Sequence, residues 1–181
     1  MRALGGMSVV AVLVMGVILG SAIAGVAHAE NPVVRWDRIE GIKPNAAGQV
    51  IHGIAPVAFP WSTTRGSASL NLDNGKLQFH VEGLSMGASP TLVALIGTTG
   101  AVTEVKATIL CHQSGERVDS EVVELSEDGD AMFSGQLSSV PNCEASDLVF
   151  LLRIAGVVPD APPIADLWLA HGAARKIRES K

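Results

Sequence analysis

The sequence predicts an all-β protein: a single antiparallel β-sandwich or barrel-like domain with one disulfide. Three observations predict it. Apolar residues recur at period two along much of the chain, the spacing of strands with one buried face. No amphipathic stretch of ten or more residues at helical spacing occurs, and 19 Gly and 9 Pro punctuate the chain. Eight or nine short apolar segments separated by turn residues are the pattern of a sandwich or barrel.

The first 29 residues differ from the rest. Arg2 is the only charge before Glu30, and between them runs the apolar, small-residue stretch MSVVAVLVMGVILGSAIAGVAHA. It ends in Ala27-His28-Ala29, the small-x-small pattern read by signal peptidase. Residues 1–29 are therefore expected to be a signal peptide cut between Ala29 and Glu30. The alternative is an uncleaved anchor, since the run is about long enough to span a bilayer. Export places the protein in the secreted or periplasmic/cell-envelope exterior space, with no membrane span after cleavage. Residues 30–172 are expected to form the folded domain and 173–181 a basic tail that frays or forms a short helix.

All 18 acidic residues and all but one of the 13 Lys and Arg lie beyond Ala29, giving that part a formal charge of −6. Nucleic-acid binders carry a basic face, so this balance argues against nucleic acid as a partner.

The elements follow in order. WDRIEGI (36–42) and QVIHGI (49–54) are predicted edge strands. Phe59-Pro60-Trp61 sits in a predicted loop. A rigid aromatic pair there is either a binding anchor or a plug over one end of the core. In SASLNLDNGKLQFHVEGL (67–84), Ala68, Leu70 and Leu72 alternate with polar residues, as do Leu77, Phe79 and Val81. Asn74-Gly75 between them is the favoured two-residue hairpin turn, which pairs Leu72 with Leu77, Leu70 with Phe79 and Ala68 with Val81. TLVALIG (91–97) is a further predicted strand. VKATIL (105–110) and LVFLLRIA (148–155) lack alternation and read as central strands buried on both faces. RVDSEVVEL (117–125) and DAMFSGQL (130–137) are predicted to form a second hairpin through Glu127-Asp128-Gly129, pairing Val123 with Phe133 and Leu125 with Ala131. VVPDAPP (157–163) is a loop, and ADLWLA (165–170) a last strand.

Cys111 and Cys143 are the two cysteines. In an exported chain an even count reads as a bridge. Cys111 and His112 are neighbours on a predicted strand and point to opposite faces, so they do not readily share a metal ion or a catalytic role. A structural disulfide closing a loop of ~30 residues is expected, worth roughly 3–4 kcal/mol in the chain-entropy model.

No sequence motif assigns catalysis. His52, His80, His112 and His171 form no HxH or HExxH pattern, and no G-x-S-x-G elbow occurs. Ser126, Glu127, Asp128 and Asp130 lack the spaced series of a calcium loop and read as a solvated hairpin tip. No catalytic, cofactor-binding or metal residue is expected. Phe59 and Trp61 are the candidate binding surface.

IGTTGAVTEVKATILC (96–111), VVEL (122–125), GDAMFSGQL (129–137), PNC (141–143), LVFLLRIA (148–155) and WLAHGAA (168–174) resemble a set of small exported bacterial β-rich proteins of unassigned function. That set has a V-x-A-T-L-x-C strand, a second cysteine, an apolar strand ending in Arg and a final Trp-x-Ala segment. The resemblance implies export and a β fold, and supplies no catalytic residue. GSASLNLDNGKLQFHVEGL also resembles the opening of a CHRD domain repeat, without the His-containing strand that follows in that repeat.

The sequence thus points to an exported, non-catalytic binding or envelope-associated module for an unknown envelope or extracellular ligand. The alternative is an enzyme or metal-binding protein with a site assembled from His and Asp/Glu on separate strands.

Overall fold

A computed structural model describes residues 32–43 and 49–178. The predicted signal peptide and its cut between Ala29 and Glu30 lie outside the described residues.

Among the described residues, eleven strands follow in chain order: β1 (Val33–Gly41), β2 (Trp61–Ser62), β3 (Arg65–Asn71), β4 (Lys76–Glu82), β5 (Ser85–Met86), β6 (Val102–Cys111), β7 (Arg117–Asp119), β8 (Val123–Glu124), β9 (Ala131–Gln136), β10 (Leu148–Val157) and β11 (Trp168–Arg178). Nine form one antiparallel sheet in the order β7-β6-β10-β11-β1-β3-β4-β9, with β8 also on β6, while β2 and β5 pair separately. The predicted fold class holds in its barrel-like form: one sheet curls into a half-barrel. The topology requires that curl. β8 and β9 belong to opposite edges of the sheet, yet only residues 125–130 separate them. The edges must therefore approach each other at this turn.

The interior is aromatic at its centre. Phe150 packs against Trp36 at 5.6 Å and Phe79 at 5.8 Å, and Phe79 stacks on Phe133 at 5.9 Å. Leu70, Leu77, Val105, Ala107, Ile109 and Leu152 are fully buried around them. The two non-alternating runs are the paired strands β6 and β10, and Leu148 lies opposite Cys111. Their outer faces are buried too, including Leu110 and Leu151. Residues 49–56 lie beside β11 and β6: Pro56 bridges Trp168, the Trp168 indole donates to the Gln49 carbonyl at 3.3 Å, and His52 Nε2 contacts the His112 carbonyl.

Several elements differ from expectation. The β3–β4 hairpin pairs Leu70 with Leu77 and Ala68 with Phe79, two residues out of the predicted register. Of the turn pair, only Gly75 has positive φ (+68°), so the two-residue turn that needs both does not form. Instead the Asn71 carboxamide accepts from the Asp73 amide, and Gly75 N–H donates to the Asn71 carbonyl, making a longer loop. A two-residue slip preserves the face, so every predicted core residue of this hairpin except the half-buried Leu72 is still buried.

The 126–130 turn also forms, with the Ser126 amide donating to the Asp130 carbonyl at 3.0 Å. Its flanks do not pair as predicted. Val123 pairs with Val105, and Phe133 pairs with Phe79. Longer partners on either side capture the two arms.

The strand predicted over 36–42 is β1, and it is central between β11 and β3 rather than an edge. Residues 49–54 make only an isolated Ile51–Ile54 bridge around a tight turn. Residues 91–97 form no strand but a 3-10 turn at Val93–Leu95, between Pro90 and Gly97. The predicted tail is strand through Arg178, because Arg175, Lys176, Ile177 and Arg178 each pair with a residue of β1. Polar and basic side chains suit its exposed end, where the sheet supplies backbone bonds without demanding apolar side chains.

Candidate functional site

At the end of the half-barrel where β1 finishes, the backbone is drawn together around Trp61. Trp61 N–H donates to the Ile42 carbonyl, and Trp61 pairs with Met86 in the small β2–β5 sheet. Gly41 permits this approach: a Cβ there would run into the Trp61 carbonyl. The 3-10 segment folds over the other side. Gly97 N–H donates to the Met86 carbonyl, Met86 N–H donates to the Thr98 carbonyl, and the Thr98 hydroxyl donates to the Leu95 carbonyl at 2.9 Å.

These segments enclose a cleft of about 320 Å³. Trp61, Phe59, Met86, Leu92, Leu95 and Leu167 are among its lining residues, and no residue lining it is ionisable. Trp61 is buried and forms part of the wall, while Phe59 is half-buried and packed against the core. Leu95 and its neighbours Val93 and Ile96 are exposed. The aromatic pair therefore covers the core and also lines a cleft. Sequence reasoning missed the other wall. The signal lies in residues 91–97, an apolar run between Pro90 and Gly97 whose composition alone suits a strand equally well.

Of His52, His80, His112 and His171, the structure brings two together. His52 and His112 meet edge-to-face at 5.9 Å between ring centroids, and both are exposed. His80 lies on the outer face of β4, 3.4 Å from the Ser67 hydroxyl and 3.8 Å from Glu82. His171 stands edge-on to Trp168 at 6.0 Å. Cys111, Cys143 and Asp147 place one potential metal ligand each within 4.8 Å of the others. The two sulfurs are bonded to each other, with Cα atoms 6.0 Å apart, so they offer no thiolate. The 126–130 tip is held internally by the Ser126 hydroxyl, which accepts from the Asp130 amide, and Glu127, Asp128 and Asp130 are exposed.

One polar network escaped the sequence reading. Arg153 is only 5% exposed. Its guanidinium donates to the Thr108 hydroxyl at 3.2 Å, to Asp119 at 3.3 Å, and to the Asp166 carboxylate and carbonyl at 3.0 Å. Lys106 bridges the same two carboxylates at 3.2 and 2.9 Å. Two cations and two anions thus neutralise each other on the outer face of β6 and β10. The Lys106 ammonium, then Arg153 and Arg117, hold the Asp166 carboxyl below the usual carboxylate range despite partial desolvation. A lowered folded-state value means that stability is present above the unfolded pKa and is lost as pH falls through the folded one. Asp166→Asn should therefore melt lower than the parent at neutral pH, where the carboxylate contributes, and the difference should shrink as pH falls below about 4, giving a flatter acid limb. Melting temperatures of both proteins between pH 2 and 6 check this. Parallel acid limbs would mean that Asp166 does not contribute.

Comparison with protein-family models, curated proteins and solved structures finds no match for this chain.

Proposed function

We propose that this is an exported, non-catalytic binding module whose cleft takes a neutral, apolar small molecule. The observation that carries the reading is the lining: aromatic, aliphatic and methionine side chains around about 320 Å³, with Thr99 as the polar side chain and no ionisable group. That volume falls at the low end of the roughly 300–1,000 Å³ typical of small-molecule sites. A charged ligand would lose its hydration there without a counter-charge, so the site favours an uncharged one. The lining offers no acid, base or activated nucleophile, which favours binding over catalysis. Export is supported by the N-terminal apolar run ending in Ala27-His28-Ala29 and by the disulfide, which suits an oxidising compartment.

The test is fluorescence titration with N-phenyl-1-naphthylamine, a neutral apolar fluorophore. Saturable one-to-one binding with energy transfer from Trp61 is expected. Phe59→Ala should weaken it by about tenfold, the loss of roughly 1.4 kcal/mol of apolar contact. Leu95→Asp should abolish it by placing a carboxylate in the wall. Non-saturable binding, or binding indifferent to both substitutions, would refute the cleft as the site.

A further inference from the structure

We propose that the open seam between β7–β8 and β9 accepts an extended strand from a partner protein, with apolar residues facing inward and basic residues outward. This site is separate from the apolar cleft and does not depend on it.

The backbone defines the seam. Cys111 N–H donates to the Glu116 carbonyl, Ser120 N–H to Ala107, and Leu125 N–H to Thr103. In an antiparallel ladder, alternate residues bond to opposite neighbours. Residues 116, 118 and 120 therefore face β6, and Arg117 and Asp119 direct their backbone groups away from it. On the other edge, Leu137 N–H donates to the Gly75 carbonyl. The odd residues of β9 thus face β4, and Met132, Ser134 and Gln136 direct theirs into the seam. Among the described residues, no strand pairing joins β7 or β8 to β9.

β8 and β9 lie in contact near the turn. Further along, a depression of about 380 Å³ is lined by Arg117, Val118 and Asp119 on one side and by Ser138 and Ser139, just beyond β9, on the other. Between the pairs Thr108–Asp119 and Val105–Val123, the β7–β8 arm has one more residue than β6, a bulge in this edge. Strand edges left open are normally guarded by charge, proline or a bulge. β9 has none of these: its sequence is AMFSGQ, its register on β4 is unbroken, and Met132 is 74% exposed.

Charge selects the occupant. Asp119 is already paired with Arg153 and Lys106, and the rest of residues 117–136 contain Glu121, Glu124, Glu127, Asp128 and Asp130 against Arg117 alone. An incoming strand would turn one set of side chains toward buried Val118 and Phe133, and the other outward beside these acids. Alternating apolar and basic residues satisfy both sides, with backbone bonds giving affinity and the acids giving selectivity.

The probe is an eight-residue peptide of alternating lysine and valine, compared with its glutamate–valine counterpart. Amide hydrogen exchange of the full folded chain is the readout. The lysine peptide should slow exchange at Arg117, Asp119, Ser134 and Gln136 by about tenfold or more, while Phe133 and Gly135, already bonded to β4, change little. Ser134→Pro should remove the protection by deleting a seam-facing N–H on an edge strand that tolerates proline. Should that variant fold poorly, the Glu121→Lys/Glu124→Lys double variant leaves the backbone intact and should weaken binding by about fivefold or more. Absent protection, or equal binding of the glutamate peptide, would overturn the proposal. Protection at these amides in the free protein that rises with its own concentration would also overturn it, since a second copy would then be the occupant.

Discussion

Phe79→Ala is expected to lower the unfolding free energy by about 3–5 kcal/mol. The ring is 3% exposed and touches two other aromatic rings, Phe133 and Phe150. Removing it deletes apolar contact and leaves a cavity, and both costs depend on how far the surroundings can collapse. Collapse is hindered here. β4 is paired to β3 on one side and to β9 on the other, so its backbone cannot move inward without breaking a ladder. Gln78→Ala supplies the control on the opposite face of the same strand. That side chain is exposed and donates to the Ser134 hydroxyl at 3.0 Å, so its loss should cost no more than about 1 kcal/mol. Urea unfolding should show the Phe79 variant with a lower midpoint and an unchanged slope. A loss near that of the control would place Phe79 outside the core.

Breaking the disulfide should produce a loss of similar size by a different route. The bond joins residues 32 apart in sequence. Closing such a loop restricts the unfolded chain by about 3–4 kcal/mol in the entropy model. Within that loop the chain crosses from one edge of the sheet, at β7 and β8, to the other, at β9. The bond therefore ties the end of β6 to the chain returning from the far edge. Cys143→Ser should cost about the loop term, because its position is only half-buried and a hydroxyl there can meet water. Cys111→Ser should cost somewhat more, since Cys111 is fully buried and the hydroxyl loses hydration. The double variant should match Cys111→Ser, because the same bond is lost in each. His112→Ala should be nearly neutral for the bond, because His112 is exposed in the turn after β6 rather than on the strand itself. Equilibrium unfolding of the four variants, with thiol titration of the unfolded, unreduced parent, checks the set. Two free thiols in the parent, or additive losses in the double variant, would contradict a single clamp.

The sequence alone was enough for the β class, the bridge between Cys111 and Cys143, and the burial of β6 and β10 on both faces. These properties depend on local quantities: period-two spacing, an unbroken apolar run, a cysteine count. The same local signals identified which face of β3 and β4 is buried, because a face depends on residue parity and survives a two-residue slip. Register did not survive, since it depended on whether Asn74 adopts positive φ, and the Asn71 side chain offered the backbone a competing turn.

What only the tertiary structure decided is partner choice. Val123 and Phe133 flank a well-formed turn, and their pattern is compatible with pairing to each other. β6 and β4 bind them instead, because a curled nine-stranded sheet satisfies more backbone groups and buries more apolar surface than an isolated hairpin. The same competition turned the basic end of the chain into strand against β1, and left residues 91–97 as the wall of a cleft rather than a strand. It also placed Arg153 beside Asp119 and Asp166, 34 and 13 residues away in sequence. Spacing along the chain encodes which side chains are apolar and which turns are easy. Which edges meet is set by the curvature of the whole sheet, and that curvature is a property of no single segment.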